Sequence, residues 1–456
     1  MNRRDFLKGV TLTSLGLTIA AEELNAHAQA NTAAPQVKVA GSQDFKIDDE
    51  LKGRPVNCAV IGLGARGKEI LTSLSKMGAF APVVGICDTF SAPTFVKKVQ
   101  AIVPKATFTN DYKKLLDDKT VEAVFIATPT HKHKQIVLDA IAAGKHVYCE
   151  APYSNSIDEA KAIAQAGAAS KTIFQPGIQV RCNAQAEHVD HFIKSGSLGK
   201  RAGGRAQYHE RNSWRRTWPT SEREAELNWR LNKATSPGLL GEVGIHQLDT
   251  ASWYFNSLPV SVSGYSNTVE WNDGRTVPDT VQCVVEYPGN IRFMYDATLT
   301  NSFDGAYELF FGSISAIMLR DQRAWMFKEV DAEGVGWEIF ARKDRMQIGN
   351  PEAGSGLAIG SGIALVANAT KQIALGKTDL TNDPTKSSLY QACRIFLNSV
   401  RAGQRVAVKE PTPTNPHPPL APNALDGYQA TVVALKANEA AVSGSKIVFE
   451  KEWFTL

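Results

Sequence analysis

The sequence predicts a two-domain α/β protein, with an N-terminal doubly wound parallel sheet followed by an α+β domain built on an open, mostly antiparallel sheet. Three observations predict it. Short apolar runs alternate with helical stretches from Val56 to about residue 150, the grammar of β-α-β units in a parallel sheet. Beyond about residue 180 the pattern changes to longer alternating strands with more aromatic residues. The length of 456 residues exceeds the size at which a single core keeps growing.

Residues 1–30 read as a targeting segment. Asn2-Arg3-Arg4-Asp5-Phe6-Leu7-Lys8 resembles a twin-arginine export signal, a weakly apolar stretch covers 9–21, and Ala26-His27-Ala28 and Ala28-Gln29-Ala30 offer Ala-x-Ala cleavage patterns. The apolar stretch is too short and too rich in Thr and Ser to span a membrane. The expectation is a periplasmic or otherwise exported protein, free of the membrane once the signal is removed. Residues 31–54 are polar and aperiodic, which suits a linker.

The first domain is expected over 55–180. Strands are predicted at 56–61, 82–87, 121–127 and 146–149, with a helix after Gly67 through Met77 and others near 95–102, 112–116 and 133–143. Directly after the first strand comes Gly62-Leu63-Gly64-Ala65-Arg66-Gly67, opening a helix, and Asp88 closes the second strand 21 residues after Gly67. A lone Gly-x-Gly-x-x-Gly says little, but in this context it is a dinucleotide-binding signature. Gly62 permits the tight turn, Gly64 lets the pyrophosphate approach the backbone, Gly67 allows close packing, and the helix N-terminus favours the negative charge. Ala65 and Arg66 lie within that loop. Asp88 is placed to accept hydrogen bonds from the adenosine ribose, and a carboxylate there favours NAD over NADP.

The second domain is expected over 181–456. A helix is predicted over 180–195, strands at 201–209, 260–268, 280–287 and 291–298, and a hairpin turn at Pro288-Gly289-Asn290. Residues 357–376, 387–402 and 422–441 read as helices, 446–449 as a strand, and the proline-rich 411–422 as extended surface chain.

Composition narrows the function classes. A formal charge of +4 with no long basic run gives no nucleic-acid footprint. The six cysteines, at 58, 87, 149, 182, 283 and 393, show no metal-ligand spacing and sit largely in apolar runs, so buried free thiols are expected. His131 and His133 have no third ligand near in sequence, so no metal site is expected. His131 is read instead as a helix cap.

Residues 123–133, Ala-Val-Phe-Ile-Ala-Thr-Pro-Thr-His-Lys-His, and 143–152, Ala-Gly-Lys-His-Val-Tyr-Cys-Glu-Ala-Pro, resemble the glucose-fructose oxidoreductase, inositol dehydrogenase and rhizopine catabolism (Gfo/Idh/MocA) family. The resemblance runs from about Val56 through Trp253. It implies a Rossmann domain followed by an open-faced sheet domain, and activity on sugars or cyclitols, some members being glycosidases or lyases that use NAD transiently. It further implies that Thr128, Pro129, His133 and Glu150 line the cofactor, and that subunits pair through the sheet face into a homo-oligomer.

Two positions depart from the family pattern. Ala151 stands in Glu150-Ala151-Pro152 where the family carries lysine, so a hydrogen-bond donor near nicotinamide and substrate is missing. Glu242 stands four residues before His246 where the family often has Asp. On a regular helix Glu242, His246, Asp249 and Trp253 share one face. His246 is then the leading general base, with Glu242 or Asp249 to orient it and Glu150 as a further candidate. The residues alone leave a purely structural histidine open.

Between residues 208 and 230 aromatic and basic side chains concentrate: Tyr208, His209, Arg211, Trp214, Arg215, Arg216, Trp218, Trp229 and Arg230. Flat rings and forked donors suit a small carbohydrate, while an interdomain or subunit surface explains them equally well. The expected function is an exported NAD-dependent oxidoreductase acting on a sugar, cyclitol or glycoside hydroxyl with internally recycled NAD. A glycosidase or lyase working by oxidation, elimination and reduction is the first alternative, and a non-catalytic sugar or nucleotide binder the second.

Overall fold

The computed structural model describes residues 53–320, 323–329, 331–332, 387–408 and 418–456. The expected signal segment, nearly all of the linker, the helix expected at 357–376 and most of the proline-rich stretch lie outside them.

Six parallel strands form the first sheet in the order β3-β2-β1-β4-β5-β6: β1 (Cys58–Ile61), β2 (Val83–Cys87), β3 (Thr107–Thr109), β4 (Ala123–Ile126), β5 (His146–Cys149) and β6 (Phe174–Pro176). Every residue of β1 and β4 is buried, as a parallel sheet covered on both faces requires. Helices Ala65–Lys76, Pro93–Gln100, Tyr112–Asp117, His133–Ala142 and Ile157–Ala169 make the crossovers. The four longer strands stand where the apolar runs lie. The edge strands β3 and β6, three residues each, are too short to show a period.

The second sheet holds eight strands in the order β13-β12-β11-β7-β10-β9-β8-β14. Its members are β7 (Arg201–His209), β8 (Ser261–Asn267), β9 (Thr280–Tyr287), β10 (Ile291–Thr298), β11 (Ala306–Gly312), β12 (Ser315–Arg320), β13 (Arg323–Lys328) and β14 (Ile447–Val448). Pairing is antiparallel except between β7 and β10. Along β9, Val281, Cys283, Val285 and Tyr287 are buried and alternate with more exposed residues, so one face meets the core. That core is aromatic: Phe255, Tyr287, Phe293 and Phe310 pack with centroids 5.0–6.2 Å apart, together with Tyr254. All six cysteines are buried and free.

Three local differences from the sequence reading matter. The helix expected over 180–195 is broken. A tight turn, Gln179–Cys182, precedes helix Ala184–Lys194, and Asn183 between them accepts a hydrogen bond from the Ala186 amide. The 240–255 segment begins with a wide π turn, Leu240–Gly244, before helix Ile245–Phe255. The C-terminal chain also returns to the first sheet: helix Ser388–Ala402 sets Phe396 5.2 Å from Phe125 and 5.9 Å from Tyr148, ring centre to ring centre. Gln175 on β6 donates to the Ala392 carbonyl of that helix.

Candidate active site

The glycine loop after β1 has the geometry a dinucleotide needs. Gly62 has φ +92°, and a Cβ there would lie 2.6 Å from the Ala127 backbone. A Cβ on Gly67 would lie 1.9 Å from the Gly62 carbonyl oxygen, so both positions admit only glycine. Gly64 faces open space with no atom within 4 Å, room for a phosphate. No side chain caps helix Ala65–Lys76, so its first-turn amides remain available to an anion.

Asp88, just beyond β2, accepts from the Leu63 amide through Oδ2 and from the Phe90 amide through Oδ1, both at 2.8 Å. It ties the glycine loop to the next turn and still has lone pairs for ribose hydroxyls.

At the carboxyl ends of β4 and β5 the polar groups are incompletely paired. Thr128 Oγ1, Glu150 Oε1 and, on the facing helix, His246 Nδ1 are enclosed without a hydrogen-bond partner. Native interiors pair nearly all such atoms, so a cluster of exceptions marks a place for a ligand. Arg66 reaches from the glycine loop to Glu150, Nε to Oε2 3.3 Å, and binds Glu69 at 2.8 Å. Burial raises the Glu150 pKa, against the opposing pull of Arg66. Burial, and then the Arg66 charge, push His246 down to about 4. His246 is therefore a neutral imidazole near pH 7, the form that can accept a proton.

His133, almost wholly buried, stands between two carbonyls, with Nε2 2.9 Å from Thr128 O and Nδ1 3.1 Å from Pro152 O. It braces the turns carrying Thr128-Pro129 and Ala151-Pro152 beneath the cleft. Burial pushes its pKa down to about 4. His131 caps no helix: the helix beginning at His133 has no side-chain cap, and the His131 ring lies 6.0 Å from Trp229.

Neither carboxylate of its own segment hydrogen-bonds His246. The wide turn sends Glu242 across to the first domain, where Oε1 accepts from Thr130 Oγ1, while Oε2 accepts from Arg230 Nε of its own domain, both at 2.9 Å. Asp249 is claimed by Arg181 through two bonds of 2.9 and 2.8 Å, and Arg181 also reaches Asp426 at 3.2 Å. Thr130 and Arg181 carried no local sequence signal.

The aromatic and basic segment divides in two. Arg230 lies 5.6 Å from the Trp214 ring centre and 5.0 Å from that of Trp229, joining them to Glu242. Trp214 adopts φ +58°, with its amide bonded to the Asn212 side chain. Tyr208 donates to Glu210 at 2.7 Å. His209 faces Asp296 and Phe303 O, and Arg215 binds Asp273 and Glu224 with Trp218 alongside. The Trp214–Trp229–Arg230 group thus stands beside the turn after β4, whereas Arg215 belongs to a separate ion-pair network.

A dinucleotide cradle joined to a sheet domain by a histidine-bearing helix defines the class: a two-domain oxidoreductase. The chain belongs to the Gfo/Idh/MocA family. The family model described as an oxidoreductase family NAD-binding Rossmann fold matches residues 56–178, and that of the GFO/IDH/MocA C-terminal domain matches 187–313. NAD is accordingly its cofactor, and the glycine loop, Asp88 and the unpaired groups at the sheet mouth fit it.

A levoglucosan dehydrogenase of Pseudarthrobacter phenanthrenivorans is 26% identical over 43% of this chain, and the match spans 50% of that enzyme's own length. An inositol 2-dehydrogenase of Salmonella typhimurium is 24% identical over 74% of this chain and 99% of its own. The structure of a levoglucosan dehydrogenase in complex with NADH and levoglucosan superposes with a TM-score of 0.64 at 19% identity, covering 87% of this chain and 99% of that one. At that identity the likeness is one of fold.

Proposed function

We propose that the protein is an exported NAD-dependent oxidoreductase acting on a hydroxyl of a small sugar, cyclitol or glycoside, with its NAD retained and recycled on the enzyme. The observation that carries this reading is the neutral, half-buried His246 within the field of Arg66, which is itself paired with Glu150, while His246 and Glu150 each keep one enclosed polar atom unpaired. The relatives named as levoglucosan and inositol dehydrogenases support the substrate class.

Gly62, Gly64, Ala65, Arg66 and Gly67 would hold the pyrophosphate, Asp88 the adenosine ribose, and Thr128, Pro129 and Glu150 the nicotinamide end. The chemistry NAD supplies when bound is acceptance of a hydride. His246 takes the hydroxyl proton on its neutral imidazole. Trp214 and Trp229 give apolar ring faces, and Arg230, fixed by Glu242, adds forked donors to hydroxyls. Tyr208 and His209 stand further along β7 toward the same end. Subunits pair through the outer face of the second sheet, where Tyr265 and Met294 lie exposed.

A second reading, a glycosidase or lyase that oxidises, eliminates and reduces again, is favoured by Ala151 in the position of the family lysine. Outside the cytoplasm no pool of free NAD is maintained, so both readings need a cycle that closes on the enzyme. The test is to purify the protein without added nucleotide, measure bound NAD by absorbance and mass spectrometry, dialyse extensively, and screen sugars, cyclitols and glycosides. Retained NAD and persistent activity are expected. Substrate-dependent NADH formation marks the oxidoreductase and sugar release marks the glycosidase. Empty protein that needs millimolar free NAD would overturn the closed cycle.

A further inference from the structure

One stretch of the second domain lies across the nucleotide cleft. The segment from the turn Ser221–Arg223 through helix Glu224–Leu227 to the turn Trp229–Leu231 touches both banks. On the β2 bank, Thr89 Oγ1 donates to Glu226 Oε1 at 2.5 Å, and the Arg223 guanidinium lies 4.9 Å from the Phe90 ring centre. Thr89 and Phe90 directly follow Asp88, whose Oδ1 accepts from the Phe90 amide. On the β4 bank, Trp229 meets His131, and Arg230 is joined to Thr130 through Glu242.

In the sheet order β2 and β4 are the two neighbours of β1. Adjacent strands lie about 4.8 Å apart, so the banks are separated by roughly 10 Å. A chain anchored on both passes over the end of β1, and that end is the glycine loop. The contacts join residues 137 apart in sequence on one bank and 112 on the other. Arg223 Nε is enclosed without a partner, so the side chain has a donor left over at the edge of the ribose turn.

We propose that residues 221–230 form a strap over the dinucleotide cleft that retains bound NAD, with Arg223 and Glu226 as its fastening on the adenosine side. This rests on the reading of the protein as an NAD enzyme and adds what keeps the cofactor in place. The strap holds the Thr89-Phe90 turn, and through it Asp88, so release of the adenosine end requires the fastening to open.

The experiment is to load the full-length protein with NADH and chase with excess NAD, following the loss of bound-NADH fluorescence. Wild type is compared with the Arg223→Ala/Glu226→Ala double variant and with Thr89→Val, which cuts the same hydrogen bond from its other partner. The dissociation rate should rise at least fivefold in the double variant and by less in Thr89→Val, with thermal unfolding unchanged. Equal dissociation rates in all three proteins would overturn the strap, whatever their absolute value. Rapid release from wild type itself would count against retained NAD, and a faster release still from the double variant would leave the strap standing.

Discussion

Two half-buried arginines each act on a residue of helix Ile245–Phe255, and the difference between their clusters separates a working site from a seam. Arg66, Glu150 and His246 leave Glu150 Oε1 and His246 Nδ1 enclosed and unpaired. Arg181, Asp249 and Asp426, one helical turn further on, leave nothing open: Asp249 is doubly bonded to Arg181, and Asp426 Oδ2 accepts from the Asn423 amide in a capping box. Unpaired buried groups cost stability, so a fold keeps them where a ligand completes them. Completed ion pairs hold elements together, here the Gln179–Cys182 turn and helices Ile245–Phe255 and Ala424–Ser443.

Three measurements would break or sharpen that contrast. His246→Ala should lower turnover by about 10² to 10⁴ with NAD still bound and unfolding little changed; equal turnover in parent and variant would show that the proton goes elsewhere. Asp249→Ala should act in the opposite sense. Removing Asp249 leaves Arg181 with only its 3.2 Å contact to Asp426, so the loss should approach that of a broken buried pair, about 3–5 kcal/mol, read as a lower denaturant midpoint. Stability unaffected by Asp249→Ala would remove the seam from the account.

The smallest effect concerns pH. A base works only while deprotonated, and His246 is pushed down to about 4 by burial and Arg66. The acidic limb of kcat/KM should therefore fall near pH 4 rather than near the ordinary histidine value of about 6.5. Arg66→Gln removes a nearby positive charge, so the limb should move to higher pH. A limb that stays fixed in Arg66→Gln would show that the arginine does not tune the histidine.

The cofactor half of the site was legible because its signals are local. Gly62, Gly64, Gly67 and Asp88 sit at fixed distances from two apolar strands, and each strand stands where its run of Val, Ile and Cys predicts. The substrate half was not. Treating 242–253 as one regular helix puts Glu242 and His246 on a shared face, but the wide turn at Leu240–Gly244 turns the carboxylate toward Thr130 and Arg230. A one-residue change in turn width leaves no mark in hydrophobic period. Partners 68 residues apart, such as Arg181 and Asp249, have no sequence signature, and β11–β13 went unread although Tyr307, Phe310 and Ile317 are buried along them.

Helix Ser388–Ala402 gives the fold an order of manufacture. Phe396 closes over Phe125 and Tyr148, and the Ala392 carbonyl receives Gln175 from β6. A nascent chain that has emerged past β6 has made every strand of the nucleotide sheet, yet an apolar patch on it is still bare. The nucleotide sheet is finished by a helix translated after seven strands of the second sheet. NAD therefore meets its completed cradle only after the strands from β7 to β13 have left the ribosome.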